Sequence, residues 1–166
     1  MVRHPRVLVG AVVAFAFVVA RPTWADSVSA QDRQFMEETA KGSMLEVHMG
    51  HMGVEKAMNP AVKSYSQRLI NDHTKANQEL AALAKKKGVT LPADDSKMAS
   101  SMPIAKKSGA DFDKEFAMSM IDDHSKVIAA FEKEIASGSD PDVKAWASKT
   151  LPTLREHLSE ARALPK

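Results

Sequence analysis

Asn59-Pro-Ala-Val-Lys-Ser-Tyr-Ser66 recurs as Asp140-Pro-Asp-Val-Lys-Ala-Trp-Ala147. Each copy opens with Asn or Asp, whose side chain can accept from orphan backbone N–H groups at a helix start. Proline follows at the first helical position, where its missing N–H costs nothing. A long helical pattern precedes each copy, so each marks the turn of a helical hairpin. Two such hairpins joined by a longer connection predict an all-α chain, a four-helix bundle with one crossover.

Working outward, apolar residues at steps of three and four predict helices over about residues 30–58, 60–87, 110–136 and 141–164. Ser29 to Asp32 resembles a capping box at the start of the first. Its inward stripe reads Phe35, Thr39, Gly42, Glu46, Met49 and Gly53. Gly88 and Gly138 stand where the second and third helices should stop. Residues 88–108 lack periodicity and read as a linker long enough to run along the bundle.

Polar residues interrupt all four stripes. Glu46 sits on the first, His73 on the second, His124 on the third and His157 on the fourth, and an acid directly precedes each histidine. Glu46 and His73 lie about equally far from the Asn59 turn, as do His124 and His157 from the Asp140 turn. Whether the two hairpins align is not decided by spacing. Buried imidazole or carboxylate without a partner costs several kcal/mol, so such groups pair with each other or bind metal. One carboxylate and three imidazoles suit iron, zinc or copper. Asp72 and Asp123 are candidates to orient the rings from behind. The competing reading is a hydrogen-bonded core, with His73 on Glu46 and His124 on His157 or a backbone carbonyl. The repeat also makes His73 and His157 counterparts, and pairs Glu46 with Asp123.

A second donor set lies on the first helix, Met44-x-x-x-His48-x-x-x-Met52, with steps of four on one face. Thioether with imidazole suits Cu(I). Alternatively these methionines are flexible filler packed against the linker or a partner.

The chain opens on Arg3, His4 and Arg6, then an apolar run from Val7 to Ala20, then Thr23-Trp-Ala25. This pattern predicts a secretory signal cleaved after Ala25, leaving one domain, residues 26–166, in the periplasm or outside the cell. The run is short of the roughly 20 residues that span a bilayer; an uncleaved anchor is the alternative. Of the 23 Lys and Arg, Arg3, Arg6 and Arg21 would leave with the signal, which balances charge against 21 Asp and Glu. With one Tyr and no basic cluster there is no footprint for nucleic acid, and no segment beyond the leader marks a membrane partner. Without cysteine there is neither disulfide nor thiolate ligand. No nucleophile elbow, phosphate loop, dinucleotide fingerprint or His-Glu-x-x-His motif occurs. An oxidase would need an open coordination position and a substrate path.

Gly42-Ser-Met-Leu-Glu46-Val, Asn59-Pro-Ala-Val-Lys63, Asp72-His-Thr-Lys-Ala-Asn77, Gly88-Val-Thr-Leu-Pro92, Met120-Ile-Asp-Asp-His124 and His157 together carry a resemblance. From about Gln31 to Leu164 the chain resembles the bacterial envelope family called domain of unknown function 4142, a ferritin-like group. The resemblance implies a secreted helical bundle, marks Glu46, Asp72, His73, His124 and His157, and supplies no activity. The Met44–His48–Met52 face is not part of that pattern. Di-iron bundles carry Glu-x-x-His on two helices; here Ile70 and Leu154 precede His73 and His157 by three, so a carboxylate-bridged di-iron centre is not expected. The reading is an exported bundle that binds a transition metal for metal handling or envelope stress. The alternative is a non-enzymatic envelope interaction protein, as a homo-oligomer or with another envelope protein.

Overall fold

In the computed structural model, which describes residues 28–165, the long helices begin at the capping residues their sequences supply. Ser29 Oγ accepts from the Asp32 N–H and opens α1 (Ala30–Lys56). Asn59 Oδ1 accepts from Ala61 N–H and opens α2 (Pro60–Lys87), which Gly88 ends in the left-handed conformation at φ 66°. A short α3 (Ser96–Ser101) lies in the connection and leads to α4 (Gly109–Ser137). Asp140 Oδ1 accepts from Asp142 and Val143 N–H and opens α5 (Pro141–Ala163), which continues through Pro152. The expected leader, residues 1–25, lies outside the described residues. No described helix is long and apolar enough to cross a membrane.

Ion pairs and hydrogen bonds define the topology. Lys87 Nζ at the end of α2 meets Asp140 at the start of α5, at 2.6 Å. Gln31 near the start of α1 donates to Glu134 near the end of α4, at 3.1 Å. Asp113 near the start of α4 accepts from Met58 and Asn59 N–H at the α1–α2 turn. Neighbouring long helices are therefore antiparallel, and the connection must return the full length of the bundle. It does so against α1, where His48 meets Asp94 at 2.8 Å and Lys56 Nζ donates to the Ala105 carbonyl. This segment is not the featureless linker expected: it holds α3 and one tight turn, Pro103–Lys106. One or two turns are too short for a periodicity to show; burial of Ala99 and Ile104 holds them.

The repeat has a structural counterpart at the hairpin turns. Asp113 receives the N–H groups of Met58 and Asn59, and buried Asp32 receives those of Ser139 and Asp140. Each turn is thus clamped by a carboxylate from the other hairpin. α1 ends at Lys56 rather than Met58, because those amides turn to Asp113 instead of the helix ladder.

Two apolar clusters fill the bundle. One contains Phe35, Leu80, Phe131 and Trp146, and the other Met49, Tyr65, Leu69 and Phe116. Gly42, read as inward, is exposed, and Ser43 takes the inward place, since the true stripe of a 3.6-residue helix drifts by one position. Gly53 is needed for close approach: a Cβ there would collide with the Ser66 side chain of α2. Gly53→Ala is expected to lower stability by about 1–3 kcal/mol. Gly42→Ala, with nothing within 4 Å of its Cβ, should raise it by up to about 1 kcal/mol. Urea midpoints of the two variants check this.

Asp32 and Glu134 form a buried carboxyl pair at the far end. Burial pushes the Glu134 carboxyl up from 4.5 to about 7, helped by the neighbouring Asp32. Burial works against Asp32 too, but hydrogen bonds from Glu134, Ser29 and the two turn amides more than offset it and hold it at about 2. Between 4.5 and about 7 the folded protein keeps a proton on Glu134 that the unfolded chain releases. This pair therefore lowers stability as pH rises through that window. Glu134→Gln should match the parent at pH 5 and exceed it by on the order of 2 kcal/mol at pH 8, measured by urea unfolding at the two pH values.

Candidate metal centre

The polar positions of the four stripes meet in one layer between the two apolar clusters. Glu46 from α1, His73 from α2, His124 from α4 and His157 from α5 are all buried, His124 and His157 completely. The hairpins are thus in register, which spacing alone left open. One nitrogen from each of the three rings lies within 4.8 Å of the others, so the group can hold a metal ion.

Hydrogen bonds around the rim determine which nitrogens are free. His124 Nδ1 lies 3.0 Å from the Met120 carbonyl, which can only accept, so Nδ1 carries the proton and Nε2 a lone pair. His157 Nε2 donates to the Asp72 carboxylate at 2.9 Å, which leaves the lone pair on Nδ1. Those two lone-pair nitrogens face each other at 3.3 Å. Glu46 Oε2 lies 3.4 Å from His124 Nε2 and 2.6 Å from His73 Nε2. The closer contact lacks the direction of a hydrogen bond, and both of its atoms stay unpartnered. His73 Nδ1 instead pairs with Ser43 Oγ at 2.9 Å. Four donor atoms therefore converge, and those of His124 and His157 face each other without a proton between them. A tetrahedral ion with bonds of about 2.0–2.1 Å sets its ligands about 3.3–3.4 Å apart, the spacing of two of these three contacts; the Glu46–His73 contact would have to open.

Burial favours the neutral form of His124 and His157. It lowers His124, and it takes His157 from 6.5 down to about 4 despite the Asp72 carboxylate. Burial pushes Glu46 up, but the three imidazoles more than offset it and leave it low, as a carboxylate. Neutral imidazole and ionised carboxylate are the forms in which such groups ligate.

Of the acids beside the histidines, the structure brings in Asp72. Burial raises its carboxyl, yet its hydrogen bonds from His157 and Arg68 leave it lowered. Arg68 reaches Asp72 one turn on and also pairs with Glu156 and Glu160 of α5. Asp123 is half-buried and raised by burial and by the Glu46 and Asp122 charges, and it makes no hydrogen bond to the rings. His124, one residue on, takes the place opposite Glu46 that the repeat alignment would give Asp123. Asp122 and Glu156 are exposed. Ser43, Arg68 and the Met120 carbonyl were not singled out from sequence; only the Arg68–Asp72 spacing carried a readable signal.

The Met44–His48–Met52 face is divided among structural contacts. Met44 packs on the cluster of Phe35 and Trp146, Met52 on the other cluster, where Met102 also packs, and His48 is tied to Asp94. Packing against the connection accounts for these side chains.

The model of the family Domain of unknown function (DUF4142) matches residues 19–164, so the chain belongs to that family. No curated protein matches the sequence significantly. Among solved structures, a DUF305 fragment from Deinococcus radiodurans superposes with a TM-score of 0.70 at 14% identity, covering 82% of this chain and 95% of that one. CopM in its Cu(I)-bound form superposes with a TM-score of 0.66 at 18% identity, covering 80% and 93%. A silver-bound form of CopM gives 0.65 at 18% identity, covering 80% and 92%. At these identities the likeness shows the helical-bundle fold.

In the metal-free protein the His157 ring should remain neutral at pH 6 and titrate at about 4, read from its ring nitrogen shifts by NMR. Between 6.5 and 4 the unfolded chain binds a proton that folded His157 refuses, so stability rises with pH across this window and is lost on acidification. A ring titrating near 6.5 would contradict the buried, Asp72-anchored arrangement.

Proposed function

We propose that this member of the DUF4142 family is an exported, periplasmic protein that binds one transition-metal ion through Glu46, His73, His124 and His157. The observation that carries the reading is the pair of lone-pair nitrogens, His124 Nε2 and His157 Nδ1, facing each other at 3.3 Å. With protons directed outward to the Met120 carbonyl and Asp72, their mutual repulsion is relieved by a cation between them. Glu46 and His73 bring the remaining two donors. Three imidazoles and a carboxylate suit zinc, copper or iron. Asp72, braced by Arg68, would keep His157 in its ligating tautomer. The fold shared with CopM, solved with Cu(I) and with silver, supports a metal in a bundle of this kind. The leader pattern of residues 1–25 supports export, and the role would be metal handling or protection in the cell envelope, alone or with an envelope partner.

A second reading follows from the hydrogen bonds to Ser43, Met120 and Asp72, which would equally serve a polar layer that only holds helix register. Metal analysis separates the two. After loading and desalting, the parent protein should retain about one zinc or copper per chain, and a His73→Ala/His157→Ala variant close to none. A chelator should lower the thermal midpoint of the loaded parent by several degrees, because a ligand that binds only the folded state stabilises it. Equal, substoichiometric metal in both proteins, with an unmoved midpoint, would leave the register reading standing.

A further inference from the structure

We propose that the cavity beside the polar layer is a binding site for a small, uncharged aromatic molecule. The cavity measures about 470 Å³, within the range of about 300–1,000 Å³ typical of small-molecule sites. All four long helices wall it, and Glu46, His73 and His157 lie at one end. Exposed Glu38, Lys75 and Lys126 also line it, so it reaches the surface.

The chemistry of the wall selects the ligand. Phe35, Phe131 and Trp146 pack on one another along one side of the space, with ring centroids 4.9 to 6.3 Å apart, and Leu80 and Leu154 complete the apolar lining. Flat aromatic surfaces are what such walls take best. The Trp146 indole N–H is directed to the Glu79 carboxylate, so the ring offers the space its apolar surface. Charge is not called for. Glu79 and Lys149, which also line the space, already pair with each other at 2.8 Å. Lys126 pairs with Asp122 outside.

The site rests on its own lining and does not require the ion, although a bound molecule would lie beside Glu46 and His157. The repeat gives a contrast: Tyr65, the counterpart of Trp146, packs on Phe116 and on the His157 ring, with centroids 6.3 Å away in each case.

The test uses the full chain with Trp24→Phe, which leaves Trp146 as its one tryptophan. N-phenyl-1-naphthylamine, a neutral fluorescent aromatic, is titrated with and without EDTA. Saturable binding of about one probe per chain is expected in both conditions, with quenching of Trp146. Ala76→Phe and, separately, Thr153→Phe fill the cavity from α2 and α5 and should each weaken the probe at least about tenfold, with circular dichroism and metal content unchanged. Absence of saturable binding overturns the proposal, as does affinity unaltered in a folded filling variant, which would place the probe elsewhere on the surface. Probe binding by a protein that retains no metal would sink the metal centre alone.

Discussion

Four ionisable side chains share one buried layer at mid-height in the bundle, and the other features follow from how that layer is satisfied. Each imidazole or carboxylate removed from water needs a partner, and only the observed register supplies one to each. Slide either hairpin by a turn and His124 would face an apolar cluster, while His157 would leave Asp72. The layer therefore sets the alignment of the hairpins, divides the apolar core in two and directs the ring protons of His124 and His157 outward. What remains at the centre is the facing pair of lone pairs on His124 Nε2 and His157 Nδ1, beside the Glu46 carboxylate.

The pseudo-twofold arrangement of the hairpins explains how such a layer is kept rigid. Asp113 and Asp32 clamp the turns of opposite hairpins, so both ends of the bundle are tied across the hairpin interface. Arg68 adds a third tie near the middle, between α2 and α5. The symmetry is broken inside. One apolar half packs Tyr65 against Phe116 and His157, and the other leaves a cavity beneath Trp146. The site is thus closed over one end and approachable from the other.

Much of this was legible in residue order. The Asn-Pro and Asp-Pro caps, the glycine after α2 and the three-and-four spacing placed the long helices within two residues of their observed ends, because capping and amphipathicity are local. The inward positions of Glu46, His73, His124 and His157 were legible for the same reason. The Gly42–Ser43 exchange was not, since a helical stripe drifts and only packing decides which neighbour faces in. Nor were α3, too short to show a period, or the clamps from Asp32 and Asp113, whose partners lie far along the chain. The Met44–His48–Met52 face has the spacing of a soft-metal set; in the fold Met44 and Met52 pack on different apolar clusters and His48 meets Asp94.

Residue order by itself thus determined the helices, their hairpin pairing and which polar groups would be carried inward. These depend on interactions within a few turns or on the repeat. Tertiary structure alone decided that the four groups share one level, which ring nitrogens carry protons, that Asp72 rather than Asp123 backs the site, and that a cavity opens beside it. Each of those depends on where two hairpins stand relative to one another, and that is set by the sum of buried contacts across an interface that no local pattern encodes.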